Sequence, residues 1–139
     1  MKKLTGILLV FLTLGFSMNA QMAAGDHKNN YIVLTTKIPQ MEPIILTANS
    51  LKEEDGEKFG DFQIVLYGLN IKGLTNIKEM DKYVNKAKAT GVQIMVCKLS
   101  LAKLKINSTD LHPYIKVVDH AFTHAIELQK NKNYYSLEL

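Results

Sequence analysis

The chain has 139 residues, 47% of them hydrophobic and 22% charged, with a formal net charge of +4. That length suits one domain around one core, and so mild an imbalance of charge is no nucleic-acid footprint. Every basic residue is lysine, so the planar fork that grips phosphates, carboxylates or guanine edges is missing.

Lys2 and Lys3 open the chain, and an uncharged apolar run from Leu4 to Phe16 follows. Ala20 then offers a small residue for cleavage. This is the layout of a secretory signal peptide over residues 1–20, with an apolar run too short to span a bilayer comfortably. The alternatives for this segment are an uncleaved anchor or a buried core element. Cleavage removes Lys2 and Lys3 from the 17 basic residues and leaves 15 against 13 acidic ones, a charge of +2. The expectation is an exported, most naturally periplasmic protein with no stable membrane anchor after cleavage and no nucleic-acid partner. Residues 21–30 are small and polar and read as a flexible leader before a domain over 31–139.

The domain begins with a β-branched apolar run, 31–36, that predicts a buried strand. Pro39 and Pro43 mark a turn into a helix over 43–54, where Met41, Ile44, Ile45, Ala48 and Leu51 share one face. A second strand is predicted over 62–67 and is broken by Gly68. Thr75 is the expected cap of a helix over 76–89, and Gly91 its terminator. A third strand covers 92–97. A short helix or turn follows, then a loop and a fourth strand over 114–118. Asp119 is the expected cap of a last helix, and 134–139 a fifth, edge strand. Strands alternating with helices predict an α/β protein, a three-layer α/β/α sandwich with a mostly parallel five-stranded sheet.

In open sheets of this kind ligands bind beyond the carboxyl ends of the strands. That rule selects Thr35 and Thr36, then Tyr67, Gly68, Leu69 and Asn70, then Cys97 and Lys98, then Asp119 and His120. Cys97 is the single cysteine, so no disulfide forms within the chain. Backbone N–H groups of the following helix and the charge of Lys98 would stabilise its thiolate, the reactive form. The competing reading is a buried, inert thiol that packs as a small apolar group.

His120 and His124 stand four apart, as in many zinc sites, but two histidines leave a site incomplete. His112 enters the fourth predicted strand and His120 leaves it, about 17 Å away for five extended residues. The expectation is therefore no metal, with His120 lining the pocket and His124 on the helix surface. No glycine-rich loop follows the first strand, so no nucleotide cofactor is expected. Ser100 has no obvious base.

The run from Gly91-Val92 through the strand ending on Cys97, the short helix SLAKL, the strand IKVV, Leu128-Gln129 and Tyr134-Tyr135 resembles the DsrE/DsrF-like family of sulfur-relay proteins. The resemblance spans about 31–139. Lys98-Leu99 stand where that family often has glycine and asparagine, and Tyr67 stands where it often has histidine. The resemblance implies an α/β/α sandwich that assembles with itself into trimers or hexamers. It also implies that Cys97 carries sulfur as a persulfide, taken from and passed to a partner thiol. Tyr67, Gly68, Asn70, Thr36, Lys98 and His120 would shape the surrounding pocket. The alternative is an oligomeric binding or assembly module in which Cys97 is only structural.

Overall fold

The computed structural model describes residues 27–139. The signal-peptide expectation for residues 1–20 lies outside the described residues. The leader is shorter at its end than the sequence suggests: Asn29 and Asn30 already belong to the first strand. Their side chains are anchored, Asn29 Nδ2 donating to Asp55 Oδ1 at 2.9 Å and Asn30 Oδ1 accepting from Asp61 N at 2.8 Å.

The elements are β1 (Asn29–Thr35), α1 (Met41–Asp55), β2 (Phe59–Leu66), α2 (Ile77–Thr90), β3 (Val92–Cys97), α3 (Lys98–Leu104), β4 (Lys116–Val118), α4 (Ala121–Lys132) and β5 (Tyr134–Glu138). The strands form one parallel sheet in the order β4-β3-β2-β1-β5. β4 is shorter than the apolar run predicts. Tyr114 and Ile115 lie in the turn before it, where Ile115 N donates back to His112 O.

The topology decides which face each helix covers. From β1 to β4 the chain steps one place at a time in one direction, and right-handed crossovers put α1, α2 and α3 on one face. The return from β4 to β5 runs the opposite way across the sheet, so α4 lies on the other face. The side chains sort accordingly, because successive residues of a strand point to opposite faces. Val33, Ile64, Leu66, Ile94 and Val96 pack with Ile44, Ile45, Met80 and Val84 beneath α1 and α2. Ile32, Leu34, Val65, Met95 and Cys97 pack with Ala121, Ala125 and Leu128 of α4. The first cluster is the larger, and most of its aliphatic side chains are fully buried, worth about 1.5–3 kcal/mol each.

Two helix caps fall one residue from their expected places. Asn76, not Thr75, caps α2, its Oδ1 accepting from Glu79 N at 3.2 Å. His120, not Asp119, caps α4, its Nδ1 accepting from Thr123 N at 3.3 Å. Gly91 ends α2 as expected, at φ 86°, a left-handed conformation that costs glycine little. Among the described residues no helix is long and apolar enough to cross a membrane.

Candidate functional site

α3 returns the chain over one face of the sheet and α4 carries it over the other, so the loops after β3 and β4 diverge. Such a divergence opens a crevice at the carboxyl ends of the two strands. Cys97 is the last residue of β3 and stands at that crevice, with its side chain on the α4 side of the sheet. His120 and Ala121 follow β4 after one residue, Asp119. The result is a cavity of about 330 Å³ walled by Tyr67, Gly68, Leu69, Cys97, Leu99, Ser100, Phe122 and neighbouring residues of α3 and α4.

Cys97 is buried, with only 3% of its surface exposed, but it borders this cavity. Burial pushes its thiol up. The N–H of Ala121, the N–H and hydroxyl of Ser100 and the N–H of Leu99 act against burial and prevail, so the thiol is held below its ordinary value. These donors come from the first turns of two different helices. That is the consequence of the diverging loops: α3 and α4 both begin beside one sulfur atom. Hydrogen bonds to the charged form of a group favour that form.

Four side chains fix the walls. Ser100 Oγ accepts from Gly68 N at 2.8 Å, tying the turn after β2 to α3. Tyr67 donates its hydroxyl to Glu138 of β5, a bond that, with burial, pushes the phenol up to about 12. The Tyr67 ring meets Phe122 edge-on at 5.0 Å, and Phe122 meets His120 edge-on at 5.6 Å. His120 Nδ1 accepts from the Thr123 backbone and side chain, which leaves its proton on Nε2.

Of the expected pocket residues, the structure brings Tyr67, Gly68, Cys97 and His120 together. It separates the others. Lys98 turns away from the cavity to Asp119, 3.6 Å off in water, and has no part in lowering the thiol. An exposed pair of this kind contributes about 0–1 kcal/mol at most. Asn70 borders a different hollow, beside Lys37, Ile38 and Pro43. Thr36 lies under Gly68, where an added Cβ would come 3.3 Å from Thr36 Cγ2, so it supports the turn from behind.

His124 is not on the helix surface. It is half-buried beneath α4, with Nε2 donating to Gln63 Oε1 at 2.7 Å. Gln63 Nε2 donates in turn to Asp61 at 2.6 Å, and Asp61 also accepts from Gln93 and Tyr134. This polar network occupies the amino-terminal ends of β2 and β3, away from Cys97. Among the described residues no group of three or more histidine, cysteine or acidic side chains is gathered for a metal ion.

The residues that matter most beside Cys97, namely Ser100, Phe122 and the amide of Ala121, carry only a faint signal in the sequence. Ser100 stands three residues past the cysteine, one helical turn on, which is where a hydroxyl can reach back.

No family model matches the chain, and no curated protein matches it. Among solved structures it is similar to a protein of unknown function, MTH1491 from Methanobacterium thermoautotrophicum. The TM-score is 0.62 at 14% identity, over 81% of this chain and 100% of that one. At that identity the likeness is one of fold.

Proposed function

We propose that the protein is an exported, DsrE-like sulfur carrier that holds sulfane sulfur on Cys97 as a persulfide. One observation carries this reading: donors from the starts of α3 and α4 converge on a thiol that borders a cavity, and together they favour its thiolate. The thiolate attacks the terminal sulfur of a persulfide R–S–S–H. The donor's S–S bond breaks, R–S⁻ departs and takes up the proton, and Cys97–S–S⁻ remains. No external oxidant or reductant is needed. A second thiolate can then take the terminal sulfur in the reverse sense. Tyr67, Phe122 and His120 shape the space in which the exchange occurs.

The test is incubation of the purified protein with polysulfide, followed by intact mass measurement. The wild type gains one sulfur atom, released by a thiol reductant, and Cys97→Ala gains none. An equal gain on both proteins, or none on either, ends this reading.

A second reading, an assembly module with a structural cysteine, draws support from β5. Tyr135, Leu137 and Leu139 are 62%, 55% and 46% exposed along this edge strand, a patch suited to a second copy. Sedimentation of the wild type against Leu137→Lys tests it: a monomeric wild type removes the reading.

A further inference from the structure

We infer that the cavity beside Cys97 takes the apolar, uncharged body of a small-molecule thiol or persulfide. This rests on the sulfur-carrier reading and narrows it to a class of donor or acceptor. The argument comes from what the walls can offer. Leu69, Leu99, Ala102 and Phe122 present hydrocarbon. The polar side chains among them are already committed. Tyr67 gives its hydroxyl hydrogen to Glu138, Ser100 accepts from Gly68, and His120 holds Thr123 through Nδ1. Among the described lining side chains, the donors that remain for a polar partner are His120 Nε2 and the exposed ammonium of Lys103, and the Tyr67 hydroxyl oxygen can still accept.

A cationic body entering this space would lose water and meet no carboxylate of the lining, and an anionic one would meet only the exposed Lys103 and His120 at the rim, whereas an alkyl or aryl body would gain from burial. The volume, about 330 Å³, lies at the small end of the roughly 300–1,000 Å³ typical of ligand pockets. It suits a compact ring or short chain. In the exchange, the Cys97 thiolate takes the terminal sulfur of R–S–S–H, the S–S bond breaks, and R–SH leaves with the proton. R is the group that sits against Leu69, Leu99 and Phe122.

The test uses matched methanethiosulfonates on the full-length chain: benzyl (neutral), sulfonatoethyl (anionic) and trimethylammonioethyl (cationic). Each forms a mixed disulfide with the single cysteine and releases methanesulfinate. Rates are divided by those for an unstructured cysteine peptide. The benzyl reagent is expected to be favoured by about tenfold or more over both charged ones. Leu69→Lys changes a wall residue that is 59% exposed, so the fold is spared, and the preference should shrink. Equal normalised rates, or a preference for the sulfonate, overturn this inference while leaving Cys97 accessible and the carrier reading intact. If none of the reagents labels the native protein but all label it in denaturant, the carrier reading itself fails.

Discussion

The backbone N–H of Gly68 donates to Ser100 Oγ at 2.8 Å, and this bond fastens the turn after β2 to the first turn of α3. Gly68 has φ 83°, a conformation open to glycine at little cost. The turn can therefore aim its N–H at Ser100 while leaving the space above Cys97 empty. The Ser100 hydroxyl also stands beside Cys97 on the cavity wall, where it favours the thiolate. One side chain thus orders a wall of the cavity and favours the thiolate within it.

The first prediction concerns that hydroxyl. The rate at which iodoacetamide alkylates native Cys97 should rise with pH through a midpoint below that of an ordinary free thiol. Ser100→Ala should move the midpoint upward, because one donor to the thiolate is lost. It should also cost about 1–3 kcal/mol in urea unfolding, since Gly68 N–H loses its acceptor. The linkage has a definite sign. A thiol held low in the folded state adds stability above its unfolded value, and that stability is lost as pH falls through its folded value. Wild type should therefore gain on Cys97→Ala as pH rises through that window. An unmoved midpoint in Ser100→Ala would show that the backbone donors alone set the thiol.

The second prediction separates two adjacent residues at the start of α2. Asn76→Ala should destabilise the protein by about 1 kcal/mol, the usual worth of a side-chain cap. Thr75→Ala should leave the urea midpoint almost unchanged, because its hydroxyl donates only to Lys72 O, at 3.2 Å in the exposed preceding turn. Equal losses would place the helix start at Thr75.

These two cases show how far the sequence alone could reach. The strand centres were legible because Ile64, Val65, Leu66 and Ile94, Met95, Val96 are buried on both faces of the sheet, as unbroken apolar runs predict. The three-layer architecture followed from the alternation of strands and helices. The strand order did not, because composition does not say which neighbour a strand finds. Without that order, the divergence of α3 and α4 around Cys97 is invisible, and so is the donor from Ala121, although the N–H groups of the helix after Cys97 were expected. Side-chain direction was also out of reach. Lys98 follows Cys97 in the chain, yet it turns to Asp119, where both groups keep their water. His124 was expected on the helix surface because the sequence does not say which face of the last helix meets Gln63. Gln63 is 94% buried there and supplies the carbonyl that His124 Nε2–H meets.

The third prediction concerns His124. Burial lowers its pKa, and the nearby Lys132 adds to this, while Glu127 and Asp61 oppose it. A histidine depressed in the folded state binds its proton more readily when unfolded. Stability should therefore fall as pH drops from about 6.5 toward the folded value and level off below it. His124→Gln keeps an N–H for Gln63 Oε1 and should flatten that part of the stability–pH curve. His124→Leu leaves Gln63 Oε1 without its partner and should cost about 1–3 kcal/mol at neutral pH. A wild-type curve already flat in this window would mean that the ring is solvated in both states.

The fourth prediction concerns the start of the sheet, at Gly60 in β2. A Cβ built there would run into Asn30 Oδ1 and lie 2.8 Å from Lys28 Cβ and 2.9 Å from the Asn29 carbonyl oxygen. The Asn30 side chain is not free to move aside, since its Oδ1 accepts from Asp61 N at 2.8 Å. The Asn29 carbonyl is backbone at the point where the β1–β2 register shifts between Asn29 and Tyr31. These obstacles must yield together, so Gly60→Ala should open the first residues of β1 and cost about 1–3 kcal/mol, as overpacking does. The damage should be local. Hydrogen exchange should accelerate at Asn30 and Asp61, while the central amides of β3 keep their protection relative to the lowered global stability. Cys97 lies at the other end of the strands, so its alkylation rate should match wild type under native conditions. A change in that rate would mean that strain at the amino-terminal edge reaches the cavity through the sheet.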